Sequence, residues 1–347
     1  MTMAPSAPSA LTPATADPPS SPVPRLTRAL LAAAVLAAVM VLSLALGARA
    51  LSPQAVWQGL TDPASPAYDV VHGLRLPRTL LGLLAGAALG TAGGVMRALT
   101  RNPLADPGLL GINAGASAAV VTASAVLGLE GFAGAVWFAF AGAAGVAVLV
   151  YAVGGGRAAT PARLVLSGTA VNAALYSYVS AVELLDSDAL DRMRFWTVGS
   201  LASAELGTVA ALAPFVVAGL VLALLLARPL GALALGEDTA RALGSRLTAT
   251  RAGAVVSVTL LCGAATAACG PIVFVGLLTP HLVERFTGPD PRRLLPYCVV
   301  AGPCLLLAAD VLGRLVARPG ELQVGVVTAV VGGLLLLNLL RARRGDA

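Results

Sequence analysis

The sequence predicts an all-α integral membrane protein with ten transmembrane helices. Of its 347 residues, 57% are hydrophobic and only 12% are charged, and the mean hydropathy is +0.85. A soluble domain carries about 25% charged residues, so most of this chain does not face water. The aromatic share of 4% is too low for the girdles of a β-barrel, whereas 38 glycines suit helices packed through small residues.

The chain is predicted to begin with a disordered tail, followed by one membrane domain. Residues 1–24 are rich in Pro, Ala, Ser and Thr and almost free of charge. Arg25 and Arg28 then precede an apolar run that ends in an A-x-A sequence at 48–50, as in a signal peptide. Because residues 29–47 are long enough to span a bilayer, an uncleaved first helix is favoured, and the membrane domain covers 25–347.

A spanning helix needs about 20 apolar residues. The eighth candidate is the most polar, since it holds Pro280, His281, Glu284 and Arg285. The candidate spans are 29–48, 78–98, 108–127, 132–153, 162–182, 205–227, 251–269, 271–287, 296–316 and 322–341.

The orientation follows from the placement of arginine, which is enriched in cytoplasmic loops. All 23 basic residues are arginine. With the N-terminus inside, sixteen arginines fall on the cytoplasmic side and seven outside, namely Arg49, Arg75, Arg78, Arg192, Arg194, Arg314 and Arg318. Both termini are therefore predicted to be cytoplasmic.

The segment RNPLADPGLLG, residues 101–111, lies between the second and third spans. Asn102 before Pro103 favours a turn, and Asp106 before Pro107 favours a helix N-cap with proline at the first helical position. We interpret Arg101, Asn102 and Pro103 as a cytoplasmic turn that also supports a gate. The alternative is a simple connector between two helices.

Span two carries Gly82, Gly86, Gly90 and Gly94, which share one helix face because they are four residues apart. Such a stripe allows a neighbouring helix to approach closely. We expect it to serve packing.

The segment 230–247 is too polar to span and predicts one or two short amphipathic helices. We expect Leu233, Leu235, Ala240 and Leu243 to form an apolar side, with Gly236 and Gly244 as breaks. A long structured insertion of this kind favours a partner protein. A helix lying on lipid is the alternative.

Three further sets of polar residues stand out. Arg75 and Arg78 are expected at the outer water interface, where they either anchor the chain or pair with carboxylates of another protein. Asp310 and Arg314 are one helical turn apart and can neutralise each other. Thr169 and Asn172 in span five face either a neighbouring helix or a water-filled path.

Several classes of chemistry are excluded. Without lysine the chain has no P-loop and no Schiff-base chemistry. The four cysteines lie in apolar stretches without metal-ligand spacing, so no metal site is predicted. An ion-coupled transporter typically needs buried acids at the midplane, and the central thirds of these spans contain almost none. The only candidate for a catalytic cluster is His281 with Glu284, next to Arg285 at an expected helix end.

The chain resembles the FecCD family of ABC-importer permeases over about residues 28–344, because it contains several motifs of that family in the same order. The first is the long segment 75–117, from RLPR to NAGAS. The others are RFWTVGSL (194–201), LGEDTARALGSR (235–246), GPIVFVGLLTPH (270–281), ADVLGR (309–314) and ELQVGVVTAVVGG (321–333). Within this family the ferric enterobactin permease type is the most similar. Gln323 and Gly333 depart from prolines that are common in the family.

The resemblance implies the type II ABC importer permease fold, with ten helices in each of two permease subunits and a pore between them that span five partly lines. It implies a partner ATPase that binds ATP and Mg²⁺, so that this chain binds no cofactor and is not an enzyme. It also implies that an extracytoplasmic siderophore-binding protein docks on Arg75, Arg78 and Arg314.

The segment 230–247 would then hold the coupling residues, namely Leu235, Gly236, Glu237, Ala240, Leu243 and Gly244. The expected cargo is a ferric siderophore carried across the bacterial cytoplasmic membrane, with vitamin B12 and haem as alternatives. The second permease subunit is either identical or different, and enterobactin-type systems favour a heterodimer.

Overall fold

A computed structural model describes residues 25–47, 50–128, 132–156, 160–318 and 320–345. Every regular element in these ranges is helical. The predicted tail, residues 1–24, and two residues of the A-x-A sequence lie outside them. The helices are α1 Arg25–Ala45, α2 Pro53–Thr61, α3 Tyr68–Val70, α4 Leu76–Thr100, α5 Ile112–Leu127, α6 Phe132–Val153, α7 Pro161–Leu185, α8 Ser187–Trp196, α9 Leu206–Leu225, α10 Ala227–Ala234, α11 Glu237–Ala242, α12 Leu247–Cys269, α13 Val275–Thr287, α14 Pro291–Val316 and α15 Val324–Gly345.

Each of the ten predicted spans coincides with a helix of the described chain. Seven helical segments are long and apolar enough to cross a membrane: Leu26–Ala45, Tyr68–Thr100, Gly134–Val153, Pro161–Leu185, Leu206–Leu225, Leu247–Cys269 and Pro291–Val316. Ile112–Leu127 and Val324–Leu337 are apolar but shorter. The predicted eighth span is a helix of 13 residues that starts at Val275 rather than at 271, so the count of ten stays a prediction.

Local sequence signals explain where several helices begin. The side chains of Ser52, Thr160 and Asp290 each accept a hydrogen bond from a backbone N–H in the first turn of α2, α7 and α14. In each case a proline follows at the first helical position, where its missing N–H costs nothing. Helix α4 is continuous with α3 through a π-helical turn at Val71–Arg75.

Helix α4 forms the centre of the bundle and packs on α9, α12, α13 and α14. The predicted glycine stripe faces α14: a Cβ on Gly86 would lie 2.5 Å from the Cα of Pro303, and one on Gly82 would meet Leu307. Gly93, on a neighbouring face, contacts the backbone of Gly276 on α13. The packing role of the stripe is thereby confirmed, because only glycine admits these backbones at such separations.

Candidate functional site

A buried ion cluster joins α4 and α14 near the start of α4 and the end of α14. Arg78 donates three hydrogen bonds to the two carboxylate oxygens of Asp310, at 2.8 to 3.2 Å. Arg314 forms the predicted pair with Asp310 at 2.9 Å, and Arg78 also contacts Glu321 at 2.6 Å. The Asp310 carboxylate is fully buried, so it is stable as an anion only because two guanidinium groups neutralise it.

The arginines of this cluster also hold the end of α1. Arg314 donates to the carbonyl oxygens of Ser43 and Leu46, at 3.0 and 2.7 Å, and to the Ser43 hydroxyl at 3.1 Å. Arg75 donates to the carbonyls of Leu44 and Ala45. The last carbonyls of a helix have no partner within that helix, and here guanidinium groups from α14 and from the π-helical turn supply the donors.

These positions correct one expectation. Arg75 and Arg78 were predicted to lie at the water interface, but they are only 7% and 8% exposed, and Arg314 is 2% exposed. They are buried because their donors satisfy Asp310 and the open end of α1. The cluster reaches solvent through Glu321, whose side chain is 36% exposed. With three arginines and two carboxylates, its formal charge is one positive unit.

On the opposite side of the bundle, the segment 230–247 forms two short helices, α10 and α11, as predicted. The predicted apolar side is wrong in its composition, since its four residues do not share one face. Leu233 and Ala240 are buried against the bundle, whereas Leu235 and Leu243 are 69% and 65% exposed. The two exposed leucines are the large apolar side chains that this segment leaves uncovered.

Glu237 is also placed differently from the expectation that it faces a partner. Its carboxylate accepts hydrogen bonds from Arg251 on α12 and Arg241 on α11. Gly236 and Gly244 flank α11 with φ of +114° and +76°, a backbone region that favours glycine. Helix α11 is therefore a short element between two glycine turns, fastened to α12 by the Glu237–Arg251 ion pair.

The RNPLADPGLLG segment contains the end of α4, the predicted turn and the predicted start of the next helix. Arg101 ends α4 in the left-handed region with φ of 52°, and the Asn102 side chain accepts a hydrogen bond from the Leu104 N–H at 2.9 Å. Asp106 accepts from the Gly108 N–H at 2.7 Å and caps a 3₁₀ helix, Pro107–Leu110, which precedes α5. Burial raises the pKa of the Asp106 carboxyl, although the Gly108 N–H opposes that shift.

The same segment packs against α7. Asn172 donates to the Gly108 carbonyl at 3.2 Å, and a Cβ on Gly168 would lie 1.8 Å from the carbonyl oxygen of Leu109. Thr169 points away from this contact and is exposed. The two pathway candidates are thus separated, because Asn172 joins α7 to the turn and Thr169 lies on an open face.

The open face of α7 carries the small side chains of Thr169, Ala170, Ala173, Ser177 and Ser180 and the larger ones of Leu166 and Tyr176, which are 73% and 46% exposed. The hydroxyls of Thr169 and Ser177 already donate to carbonyls one turn earlier, Val165 and Ala173, each at 2.8 Å. The face is therefore polar enough to be wetted but has few strong donors left for a ligand.

Sequence reasoning missed Ser43, Glu321 and Arg251. Their partners are between 14 and 271 positions away along the chain, so no local spacing pointed to them. It also missed the ion pair between Arg97 on α4 and Glu284 on α13. Glu284, which had been weighed as a catalytic group with His281, is thus a structural partner.

The described residues contain no group of three His, Cys, Asp or Glu side chains that could hold a metal ion. The one fully buried acid discussed above, Asp310, is neutralised and does not offer a free site for a coupling ion. A bundle of long apolar helices, with two short helices between α9 and α12, is the architecture of a multi-pass membrane protein.

Comparison with known proteins makes this specific: the chain belongs to the FecCD transport family, whose model matches residues 35–342. It is 46% identical to the ferric enterobactin permease FepD of Escherichia coli, over 88% of this chain and 92% of that protein. It is 40% identical to the Fe(3+)-citrate permease YfmD of Bacillus subtilis, covering 83% and 85% of the two chains. The hemin permease HmuU of Yersinia pestis is 35% identical, covering 86% and 90%.

A solved structure of a metal-chelate type ABC transporter in an inward-facing conformation has the same fold. Its TM-score is 0.79 at 25% identity, and the match covers 90% of this chain and 97% of that one. This chain is accordingly a permease subunit of a bacterial ABC importer, a multi-pass membrane protein that is not itself an enzyme. It works with a partner ATPase.

Proposed function

We propose that this chain is one of two permease subunits that carry a ferric siderophore across the bacterial cytoplasmic membrane. The observation that carries the proposal is the 46% identity with the ferric enterobactin permease over most of both chains. The partner ATPase binds ATP and Mg²⁺, and this chain binds no cofactor. An extracytoplasmic siderophore-binding protein delivers the cargo, and both termini lie in the cytoplasm.

The open face of α7 is proposed to line the path between the two permease subunits. A ferric siderophore is large, and a path that bound it tightly would retain it. The face from Thr169 to Ser180 suits weak contact, because most of its side chains are small and two of its hydroxyls are already engaged. Asn172 is proposed to hold α7 against the RNPLAD turn, so that Arg101, Asn102 and Pro103 support a gate at this face.

The coupling segment is proposed to meet the ATPase through Leu235 and Leu243. An exposed apolar side chain gains free energy when a partner covers it, and these two leucines extend from the loops at either end of α11. Gly236 and Gly244 shape those loops, and Glu237 and Ala240 hold α11 on the bundle. Movement of the ATPase would then be transmitted through α11 to α12 by the Glu237–Arg251 pair.

The binding protein is proposed to dock at the ion cluster formed by Arg75, Arg78 and Arg314. The structure supports this role only for Arg78, which is shared between buried Asp310 and half-exposed Glu321. An approaching carboxylate would compete with Glu321 for the same guanidinium group. The excess positive charge of the cluster favours that exchange.

Uptake by a deletion strain tests the cargo. The strain is complemented with this gene and supplied with a radiolabelled ferric catecholate siderophore, ferric citrate, haem or vitamin B12. We expect uptake of the ferric siderophore to be restored. Haem is the second candidate because of the similarity to a hemin permease. Restored uptake of haem or vitamin B12 without any ferric siderophore would overturn the proposed cargo.

A further inference from the structure

A cavity of about 570 Å³ lies beside the coupling segment. Its wall is built from the start of α10, the loop that follows α11, and the first turns of α12 and α14. The lining combines apolar residues such as Leu226 and Leu243 with three arginines, Arg228, Arg246 and Arg292. Leu243 and Gly244 in this wall belong to the coupling segment, but the transport function described above assigns no role to the three arginines.

The three arginines are exposed, and none has a side-chain hydrogen bond or ion pair within the described residues. The cavity wall contains no acidic residue. Asp290, two positions before Arg292, uses its carboxylate to accept from the Arg292 backbone N–H at 3.0 Å and cap α14. The neighbouring Arg241 and Arg251 differ, because both are paired with Glu237. Among the described residues, the cavity thus gathers three guanidinium groups that form no ion pair.

An apolar stripe leads along α9 to this cavity. Val217, Val221 and Leu225 are 54%, 50% and 72% exposed and lie four residues apart, so they share one helix face. They cover about 12 Å of the helix axis and end next to Leu226 in the cavity wall. Helix α9 is long and apolar enough to span a membrane. In a bilayer the stripe would face the acyl chains of one leaflet, and Arg228 would lie at the level of its headgroups.

We propose that this cavity binds the phosphate headgroup of an anionic phospholipid, with an acyl chain along the α9 stripe. Guanidinium groups bind phosphate oxygens through paired hydrogen bonds. Basic pockets between transmembrane helices on the cytoplasmic side are suited to anionic headgroups. A free phosphate, or a carboxylate of the ATPase, would satisfy the arginines but would not use the stripe. The bound lipid would connect α10, α12 and α14 at the base of the coupling segment.

Native mass spectrometry of the full-length chain tests the proposal. The delipidated protein is titrated with phosphatidylglycerol, with phosphatidylcholine and with inorganic phosphate. The test variant is Arg228→Gln/Arg246→Gln/Arg292→Gln. The matched control, Arg163→Gln/Arg285→Gln/Arg293→Gln, removes three exposed arginines that are predicted to face the same side. We expect the test variant to weaken phosphatidylglycerol binding by about tenfold or more, and the control to leave it within about twofold of wild type.

Three results would overturn the assignment. One is equal retention of phosphatidylglycerol by the test variant and the wild-type chain. Another is a lack of selectivity for the anionic lipid, shown either by phosphatidylcholine binding as tightly as phosphatidylglycerol or by millimolar inorganic phosphate displacing the lipid. The third is a test variant that keeps its lipid but no longer co-purifies with the ATPase, which would assign the cavity to the partner protein. Size-exclusion elution at the wild-type volume shows that the variants are folded.

Discussion

Arg78 holds the carboxylate of Asp310 through its Nε and Nη2 atoms, across 232 positions of sequence. The same guanidinium group reaches Glu321 with its Nη1 atom. One side chain therefore connects a fully buried acid to a half-exposed one, and the two contacts are expected to have different energetic consequences.

Loss of the buried partner should destabilise the protein. Asp310→Asn removes the charge that Arg78 and Arg314 share, so that Arg314 loses its ion-pair partner and Arg78 keeps only Glu321. Breaking a buried ion pair in this way costs about 3–5 kcal/mol. We expect a large fall in the thermal unfolding temperature of the full-length chain in detergent. Asp238→Asn, at a fully exposed side chain, is the control and should unfold with the wild type. A variant at 310 as stable as this control would contradict the structural role of the cluster.

Loss of the exposed partner should affect docking instead. Glu321→Gln removes the carboxylate that competes with an incoming binding protein for Arg78. We expect the loaded binding protein to bind the variant more tightly, by up to about fivefold, since exposed ion pairs contribute about 0.2–1 kcal/mol. The measurement is surface plasmon resonance on the importer in nanodiscs at several salt concentrations. Glu205→Gln, at another exposed carboxylate, should change nothing. Unchanged or weaker binding at Glu321→Gln would argue against exchange at Arg78.

The close contact of α4 with α14 should not tolerate a methyl group. In Gly86→Ala the new Cβ would lie 2.5 Å from the Pro303 Cα and 2.6 Å from its nitrogen, so the two backbones have to separate. We expect a lower unfolding temperature and less folded protein in the membrane. Gly145→Ala on α6 is the matched control, because no described atom outside the adjoining turns of α6 lies within 4 Å of the new Cβ. Equal behaviour of the two variants would mean that the close approach does not limit stability.

Different residues of the coupling segment are expected to bind the ATPase and to attach the segment to the bundle. Leu235→Ser/Leu243→Ser should reduce co-purification of the ATPase without lowering the unfolding temperature, because both side chains are exposed. Leu184→Ser/Leu185→Ser, at two leucines that are 88% exposed on α7, is the control for loss of apolar surface. Glu237→Gln should instead lower the unfolding temperature, because Arg251 loses its partner. Full ATPase retention by the 235/243 variant would exclude these leucines from the interface.

The orientation is tested by labelling single cysteines in intact cells. The native cysteines at 262, 269 and 298 are buried, and Cys304, which is partly accessible, is replaced by serine. We expect Asp62→Cys to react with a membrane-impermeant maleimide, and Asp238→Cys to react only after the membrane is permeabilised. Both side chains are exposed, so access differs only through the membrane. Labelling at 238 before permeabilisation would reverse the predicted topology.

Sequence alone predicts the structural features that depend on residues close together in the chain. The glycine stripe of α4, the Asp106 cap and the Asp310–Arg314 pair all arise from spacings of one to four residues, and the structure contains all three. The burial of Arg75 and Arg314 could not be predicted in this way, because it depends on carbonyls at the end of α1 that are about 30 and 270 positions away. The inward turn of Glu237 likewise depends on where α12 lies.

Helix α4 also limits where the transporter can be selective. It is largely buried between its neighbours, and Gly86 and Gly93 place its backbone directly against α14 and α13. A helix enclosed in this way can transmit a displacement from one membrane face to the other, but it offers almost no surface to a passing solute. Under the proposed function, discrimination between cargoes therefore falls to helices with open faces, such as α7, and not to α4.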